Sequence, residues 1–553
     1  MRNRIILILF VFASTVCFAI IPLSSSPSWT SNDYDYSTGG GFADINGDGY
    51  VDFCTSNGND MAINKQGIYF NNNGILETQA SWHSSDSGYF GHLYLGDVNN
   101  DGLMDLAVSY LGIGTSNQGK CRIYTNSGNA LQPVPNWLSA DQYNSFDVCF
   151  GDVDLDGDLD LAVAAGDAYN SLQTPARVYK NNNGAFETSP FWIANDSTPT
   201  DAARFADLNN DGYLDLIVGG RRKLSVYYNQ NGILEHAASW SITTKGWVLR
   251  LATGDYDNDG WIDLVIAENG QLSGDSSRIN VFKNNQGQLN TFPSFSMQRS
   301  RHYCSCVAWA DVNNDDYLDL AAGGWWEPLV VFENHSGVLD TFAGWTYNNG
   351  NLVSEALVLG DIRNYHIVTR TDTFIGNGTR KLIYAKKSPW QKLVSVRKNN
   401  AVLSYSEFCF DPLTAWVALA STPSSTDTIF VTYFYSSYPD LVVTNWTQNL
   451  GNYLFYNTTP QEVRENQITN INILKFEITP NPFMTTIMFQ TDYKINSIIT
   501  IYNTAGKLIK TLSKSPLIWN GQDEKGKIVS EGIYFVNAKI GNQIITKKIV
   551  KLT

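Results

Sequence analysis

Six stretches decide the reading of this chain: Asp44-Ile-Asn-Gly-Asp-Gly-Tyr-Val-Asp52, Asp97-Val-Asn-Asn-Asp-Gly-Leu-Met-Asp105, Asp152-Val-Asp-Leu-Asp-Gly-Asp-Leu-Asp160, Asp207-Leu-Asn-Asn-Asp-Gly-Tyr-Leu-Asp215, Asp255-Tyr-Asp-Asn-Asp-Gly-Trp-Ile-Asp263 and Asp311-Val-Asn-Asn-Asp-Asp-Tyr-Leu-Asp319. Their first aspartates are spaced 53, 55, 55, 48 and 56 residues apart. Self-similarity at such a period marks an array of one supersecondary unit, each copy burying its apolar face against the next.

The sequence around each stretch completes the unit. After five of the six comes an alternating strand, as in Leu106-Ala-Val108, Leu161-Ala-Val163 and Leu216-Ile-Val218. A further strand runs into an Asn/Gly turn, as in Val178-Tyr-Lys-Asn-Asn-Asn-Gly184 and Val226-Tyr-Tyr-Asn-Gln-Asn-Gly232. An aromatic residue closes the unit: Trp82, Trp137, Trp192, Trp240, Phe295 and Trp345 each precede the next unit's first aspartate by 15 or 16 residues. Four short strands with turn signals between them predict one blade of an all-β propeller. The same ruler reaches Asp361, 16 residues after Trp345, and Asp411, 15 after Val396. Counting first aspartates gives eight blades. Seven is the alternative, in which the stretch around 400–460 forms no full blade. After Asp411 the turn is read as replaced by an insertion up to Tyr438, before Asp440-Leu-Val-Val443 resumes the strand. Trp29 lies 15 residues before Asp44 and so has the register of a closing strand. The N-terminal strand is expected to complete the last blade and latch the ring.

Each strong turn offers oxygen donors at positions 1, 3, 5 and 9, with a backbone carbonyl at 7. The candidate ligands are Asp44, Asn46, Asp48, Tyr50 and Asp52; Asp97, Asn99, Asp101, Leu103 and Asp105; Asp152, Asp154, Asp156, Asp158 and Asp160; Asp207, Asn209, Asp211, Tyr213 and Asp215; Asp255, Asp257, Asp259, Trp261 and Asp263; and Asp311, Asn313, Asp315, Tyr317 and Asp319. Hard oxygen donors on a tight turn suit Ca²⁺. Glycine at position 6 permits the sharp turn, and Asp316 replaces it in the sixth. An EF-hand fails, because its twelfth-position glutamate falls on Thr55, Val108, Val163, Val218, Ile266 or Ala322. The charge agrees with about six cations. The turns hold 22 of the 53 acidic residues, leaving 31 against 38 Lys and Arg. Six Ca²⁺ add twelve charges and take the net −15 to −3. A net charge of −15 argues against nucleic acid as partner, since such a binder shows a basic face.

These turns and strands resemble the FG-GAP/VCBS repeats of integrin-like β-propellers over roughly residues 25–460. The resemblance implies calcium in the hairpin between a blade's first two strands, where it is structural, and ligands meeting the opposite face. The units at Asp361 and Asp411 depart from the pattern and are assigned no metal. On the presumed ligand face lie Tyr110, Arg221-Arg222 and Trp325-Trp326, joined from the closing-strand side by His92 and Arg299-Ser-Arg-His302. Arg221, Arg222, His302, Trp325 and Trp326 are the ligand-face candidates, since arginine and tryptophan together bind acidic sugars by bidentate contacts and ring stacking.

Both ends of the chain carry transport signals. Arg2 and Arg4 precede the apolar run Ile5–Phe18, and the small-residue site Cys17-Phe18-Ala19 follows, so residues 1–19 read as a secretory signal peptide. No later segment reaches the length of a membrane span. Six cysteines follow: Cys54, Cys121, Cys149, Cys304, Cys306 and Cys409. They are read as buried thiols or one or two bridges, with no zinc spacing among them. From Asn466 onward there are 11 lysines, no arginine and five acids, and strand-like runs such as Ile498-Ile-Thr-Ile-Tyr502 and Ile533-Tyr-Phe-Val536 predict a small Ig-like β-sandwich over 474–553. Pro480-Asn-Pro-Phe483, Ile501-Tyr-Asn-Thr-Ala-Gly506, Trp519-Asn-Gly521, Gly532-Ile-Tyr534 and Lys548-Ile-Val-Lys551 resemble the C-terminal sorting domain of type IX secretion cargo. That resemblance implies the type IX machinery as a partner and a final place on, or released from, the surface of a Gram-negative bacterium.

No nucleophile elbow, HExxH, phosphate loop or nucleotide fingerprint is present in the sequence. The leading expectation is an exported calcium-stabilised propeller that binds a glycan or protein ligand at the cell surface or after secretion. The alternative is an extracellular polysaccharide lyase or glycoside hydrolase, with Arg222 and His302 as its candidates. A structural surface-layer component is the third reading.

Overall fold

The computed structural model describes residues 21–167, 172–271, 273–299, 301, 303–447, 449–460, 476–491, 498–512, 517–540 and 543–552. The signal-peptide segment 1–19 and His302 lie outside the described residues. The described chain is all-β, and its one helical element is the single 3-10 turn Tyr405–Glu407. It separates into two compact units, Met1–Glu462 and Val463–Thr553.

The first unit is built from repeated antiparallel sheets. A seven-residue strand opens most of them: Ser37–Ala43, Phe90–Gly96, Ser145–Gly151, Thr200–Ala206, Cys304–Ala310 and Ser354–Gly360. The strands at 90–96, 145–151 and 200–206 are buried at every position. A nine-residue acidic turn follows each of the first three, and its last aspartate is the first residue of the second strand, as at Asp52, Asp105 and Asp160. The third and fourth strands are short; in the second sheet they are Arg122–Tyr124 and Trp137–Leu138. Two neighbouring sheets are continuous, because Asp215–Tyr227 and Trp240–Gly254 each run through two strand positions and pair with one another, giving one six-stranded sheet. The closing aromatic links sheet to sheet by its indole N–H: Trp82 donates to the Leu131 carbonyl (2.8 Å), Trp137 to Glu187 (3.2 Å), Trp192 to Leu234 (3.2 Å) and Trp240 to Leu289 (3.1 Å).

The N-terminal strand Trp29–Thr30 pairs antiparallel with Tyr453–Phe455, with Trp29 opposite Leu454. The expected latch is therefore present, and Trp29 donates its indole N–H to Leu76 of the first unit at 3.2 Å, as the other closing tryptophans do. This sheet runs in the order Trp29–Thr30, Tyr453–Phe455, Asp440–Asn445, Ser354–Gly360. Its first and second strands are thus separated by residues 361–439.

Here the structure corrects the count that gave eight first aspartates. Asp411 opens no unit: it ends the strand Phe408–Asp411, which pairs with Trp416–Leu419 in a three-stranded sheet of the inserted segment. The insertion begins after Asp361, and Asp440 takes the ninth position of the turn that Asp361 starts. Asp440 Oδ2 accepts the Ile362 N–H at 3.1 Å and Oδ1 the Asn457 N–H at 2.7 Å. In the first turn Asp52 makes the same two bonds, to Ile45 (2.9 Å) and Asn71 (2.8 Å). The inserted residues also form a four-stranded sheet from Ile367–Ile375, Thr428–Ser436, Trp390–Lys398 and Ala401–Val402. Trp390, Val396, Phe410, Val417, Val431 and Tyr433 form its core.

One buried asparagine per unit ties each unit to the one before. Asn126 donates to the Ile45 carbonyl (3.0 Å), Asn181 to Val98 (2.7 Å), Asn229 to Val153 (2.8 Å), Asn284 to Leu208 (2.7 Å), Asn334 to Tyr256 (2.8 Å) and Asn457 to Val312 (3.1 Å). Asn71 of the first repeat donates to Ile362 of the last repeat, at 2.8 Å.

In the second unit, a three-stranded sheet (Phe476–Thr479, Ile487–Thr491, Ile518–Trp519) and a four-stranded sheet (Leu508–Leu512, Ile498–Asn503, Gly532–Ile540, Gln543–Lys551) share a core of Phe483, Phe489, Ile501, Trp519, Val536 and Ile549. All six cysteines after residue 19 are buried free thiols, so no disulfide staples either unit.

Replacing Asn181 by alanine strands two buried carbonyls, Val98 and Leu159, and the Gly184 N–H that its side chain satisfies. Equilibrium denaturation of the first unit is expected to show a loss of about 2–4 kcal/mol. A loss below about 0.5 kcal/mol, the range of an indifferent surface change, contradicts this role.

Candidate functional site

Five of the six acidic turns share one hydrogen-bond pattern, and the first departs from it by one bond, its Asp48 N–H donating to Asn46 (2.9 Å). In the fourth, the N–H groups of Asp211 and Gly212 donate to Asp207 (3.0 and 2.9 Å), that of Tyr213 to Asp211 (2.9 Å), and those of Leu208 and Asn229 to Asp215 (3.0 and 2.8 Å). The second turn repeats this through Asp97, Asp101 and Asp105. The sixth does so through Asp311, Asp315 and Asp319. The sixth residue is left-handed throughout, with φ of 92° at Gly49 and 98° at Gly157, and Asp316 adopts 73° where glycine is missing.

Burial is costly for these carboxylates. It pushes Asp105, Asp215, Asp263 and Asp319 up to about 8, against the backbone N–H groups that hold each of them down. Neighbouring aspartates add to the rise in every one. A cation among the carboxylates would remove that penalty. Asp44 Oδ1, Asp154 Oδ1 and Asp257 Oδ1 are buried without a hydrogen-bond partner among the described residues. Asp152, Asp154 and Asp160 bring carboxylate oxygens within 4.8 Å of one another, as do Asp255, Asp257 and Asp259. In the third and fifth turns, then, carboxylates converge and one of them carries an unpartnered oxygen, a donor set that fits a hard cation. Asp315 converges instead with Glu333 and His335, two residues the repeat pattern did not single out. The seventh turn differs: position 3 is Arg363, whose guanidinium donates to Asp440 (3.2 Å) and to the Asn457 carbonyl (2.8 Å).

The inserted segment lies over the turn edge. Lys392 pairs with Asp44 (2.8 Å), Arg380 with Asp207 (2.5 Å), and Lys387 with Asp311 (2.7 Å) and Asp316 (2.5 Å). Tyr94 reaches the inserted Asp411 by its hydroxyl at 2.9 Å. A cavity of about 730 Å³ remains between the two, with Asp255, Asp311 and Asp316 on one wall and Arg370, Arg380 and Lys387 on the other. Most of that charge is already paired across or within the walls, so the cavity reads as the seam of a docked segment.

The connections between second and third strands lie at the other edge. The structure sorts the candidates there. Arg221 and Arg222 are exposed, Arg222 standing 3.6 Å from Asp275. Arg221 is opposite Trp247 in the strand pairing, and Trp247 packs with Trp325, Leu249 and Val353. Trp325 is buried, donating its indole N–H to Glu355 at 2.5 Å. Trp446 donates to the same oxygen at 3.1 Å. Trp326 is only half-buried and packs edge-on against Tyr303, with ring centroids 5.2 Å apart. It is left-handed at φ 57°, an unusual conformation for a bulky residue. His92 is fully buried, so it does not face the edge as expected; with Arg204 and Arg250 it surrounds the buried Asp147. Burial opposes ionisation of Asp147, but Arg204 and Arg250 outweigh it and hold the carboxyl far below its usual range.

Repeated short-stranded sheets locked by acidic turns and joined by buried asparagines define an all-β repeat protein. The chain carries FG-GAP-like repeats, matched at residues 44–108, 163–218, 207–266 and 255–322, and ends in a Secretion system C-terminal sorting domain, matched at 477–552. The sorting domain marks it for export to the cell surface or for secretion, and no helix among the described residues is long and apolar enough to cross a membrane. No curated protein matches the chain. Solved structures similar to it include BBS1N in complex with ARL6DN (12% identity, TM-score 0.40, 61% of this chain and 88% of that one). Others are an Agrocybe aegerita lectin recognising non-reducing terminal N-acetylglucosamine (18%, 0.37, 58% and 82%) and the V. cholerae biofilm matrix protein Bap1 (15%, 0.35, 97% and 84%). At these TM-scores the likenesses carry no argument for this chain.

Burial raises Glu355 to about 8, with the Trp325 and Trp446 N–H groups pulling it down. A carboxyl raised on folding contributes its stability below its unfolded pKa, about 4.3, and loses it as pH rises through 8. Unfolding free energy is therefore expected to fall by up to a few kcal/mol between pH 5 and 8 through this group. Glu355→Gln should flatten that part of the profile, and an unchanged slope would contradict the assignment.

Proposed function

We propose that the protein is an exported, calcium-stabilised seven-bladed β-propeller, spanning residues 25–460, that binds a glycan at the cell surface or after release. An Ig-like sorting sandwich over 474–553 delivers it through the type IX machinery. The cycle of seven asparagine bonds, closing from Asn71 back to Ile362, supports seven blades. Calcium is supported by the unpartnered inward oxygens of Asp44, Asp154 and Asp257. In each strong turn the ion would take the side-chain oxygens at positions 1, 3, 5 and 9 and the carbonyl at 7, neutralising carboxylates that burial makes costly. It serves the scaffold, not a reaction.

The observation that carries the binding reading is the aromatic group at the edge opposite the turns. Trp326 and Tyr303 are half-buried there and pack against Trp247 and Trp325, with the exposed Arg221 opposite Trp247 in the strand pairing, while Arg380, Lys387 and Lys392 of the inserted segment sit on the turn edge. Half-exposed rings beside guanidinium groups suit stacking on a sugar and bidentate contact with a carboxylate. A protein ligand is the other candidate for that edge.

Chelation with EDTA is expected to lower the melting temperature by about 10 °C or more, since an ion held only by the folded state stabilises by mass action. An unchanged melt would remove calcium from the scaffold. Electrophoresis through gels containing a polysaccharide panel, with calcium present, should retard the protein without clearing the polymer. Trp326→Ala is the cleaner test variant, because Trp325 is committed to Glu355. It should lower retention about tenfold, the weight of one stacked ring. Clearing of the polymer would make the protein a lyase or hydrolase instead.

A further inference from the structure

The third position of the acidic turns is not uniform, and a distant residue changes with it. Asn46, Asn99, Asn209 and Asn313 hold it in four turns; Asp154 and Asp257 hold it in the other two. Where asparagine stands, its amide nitrogen donates to the fifth-position aspartate: Asn46 to Asp48 (3.2 Å), Asn99 to Asp101 (3.0 Å), Asn209 to Asp211 (3.0 Å) and Asn313 to Asp315 (3.4 Å). That bond holds the two side chains together and leaves the asparagine oxygen to the turn. An aspartate cannot make it, having no donor, and its charge repels the neighbour.

In those two turns alone a lysine replaces the missing donor. Lys180 pairs with Asp154 and lies 3.1 Å from Asp156 Oδ2; Lys283 pairs with Asp257 and lies 3.1 Å from Asp259 Oδ2. Both lysines directly precede the buried asparagine of their unit, Asn181 and Asn284. At the same place the four other turns have Phe70, Thr125, Tyr228 and Glu333. Each lysine takes the outer oxygen, Oδ2, of the third-position aspartate and leaves Oδ1 buried without a hydrogen-bond partner.

We propose that Lys180 and Lys283 are positioning residues of two cation sites. Each reproduces with an ammonium the bridge that an asparagine amide makes elsewhere, and aims Asp154 Oδ1 or Asp257 Oδ1 at the ion. The pairing also limits the added charge: Asp and Lys together carry the same net charge as asparagine with a neutral residue. The inference rests on the calcium reading, and it makes the two positions interchangeable only as a pair.

The fifth turn offers a local readout, because its seventh residue is Trp261. Tb³⁺ bound there takes excitation energy from that indole, and the emission lost in Trp261→Phe reports this site. In the full-length mature protein, Lys283→Tyr should weaken Tb³⁺ binding at this site at least tenfold, the usual weight of an outer-shell partner. The double variant Lys283→Tyr/Asp257→Asn recreates the pair found in the fourth turn, Asn209 with Tyr228, and should restore the affinity. Lys180→Tyr and Lys180→Tyr/Asp154→Asn should lose and regain one Ca²⁺ in equilibrium dialysis. Unchanged or tighter binding in the lysine variants, or failure of the double variants to recover, overturns the positioning role while calcium stands. Absence of any Trp261-dependent Tb³⁺ emission in the parent protein overturns the calcium reading and this inference with it.

Discussion

The first unit depends on what happens to one carboxylate per turn. The ninth-position aspartate is fully buried in every turn, and each of its oxygens accepts a backbone N–H, one from its own turn and one from the asparagine at the end of the third strand. The first bond shapes the turn; the second fixes the asparagine, whose amide crosses to the preceding unit. Turn geometry, strand register and the junction between neighbours are thus set by a single chain of bonds in a dry environment. Such a network is strong when complete and expensive when broken, because each orphaned group has no water to fall back on. It gives the repeated sheets one shared turn and one shared junction.

The inserted segment answers a different constraint. First-position aspartates line the turn edge with negative charge, and cations from residues 380–392 settle on it: Arg380 on Asp207, Lys392 on Asp44, and Lys387 on Asp311 and on the sixth-position Asp316. The segment has its own core around Trp390 and Tyr433, so it docks as a folded piece and not as a loop. Covering one edge leaves the strand connections at the other edge as the place where side chains vary without disturbing the network. Arg221, Arg222 and Trp326 sit there on tight left-handed or bulged turns.

Much of this was legible in the sequence because the constraint is periodic. Nine-residue turns, the closing tryptophans and the latch of Trp29 are all fixed by spacing, and the structure places them as the spacing requires. The turn begun at Asp361 was misread because its ninth residue, Asp440, comes only after the insertion. Within that insertion Asp411 happens to fall at the ruler distance, yet it serves as acceptor for Tyr94 and Thr414. The ligand edge was harder. A pair of adjacent tryptophans carries no sign of which ring is spent internally, and only the position of Glu355 shows that Trp325 is. His92 was placed at the surface for the same reason: nothing local announces Asp147, 55 residues away in sequence, as its neighbour.

The seventh turn separates two roles that the other six combine. It keeps Asp361 and Asp440 in their places, and Asp440 keeps both backbone bonds, although position 3 is Arg363 and position 5 is Tyr365. A guanidinium already stands on Asp440, so this turn carries its counter-charge within the chain. The first and ninth aspartates are therefore demanded by the fold, whatever neutralises them. Positions 3 and 5 are where the turns differ: arginine and tyrosine in the seventh, and oxygen-bearing side chains in the other six, whose carboxylates converge in the third and fifth turns. The acidity of the protein thus has two layers, the largely buried first- and ninth-position carboxylates that the packing uses and a more exposed set at positions 3 and 5 that varies from turn to turn.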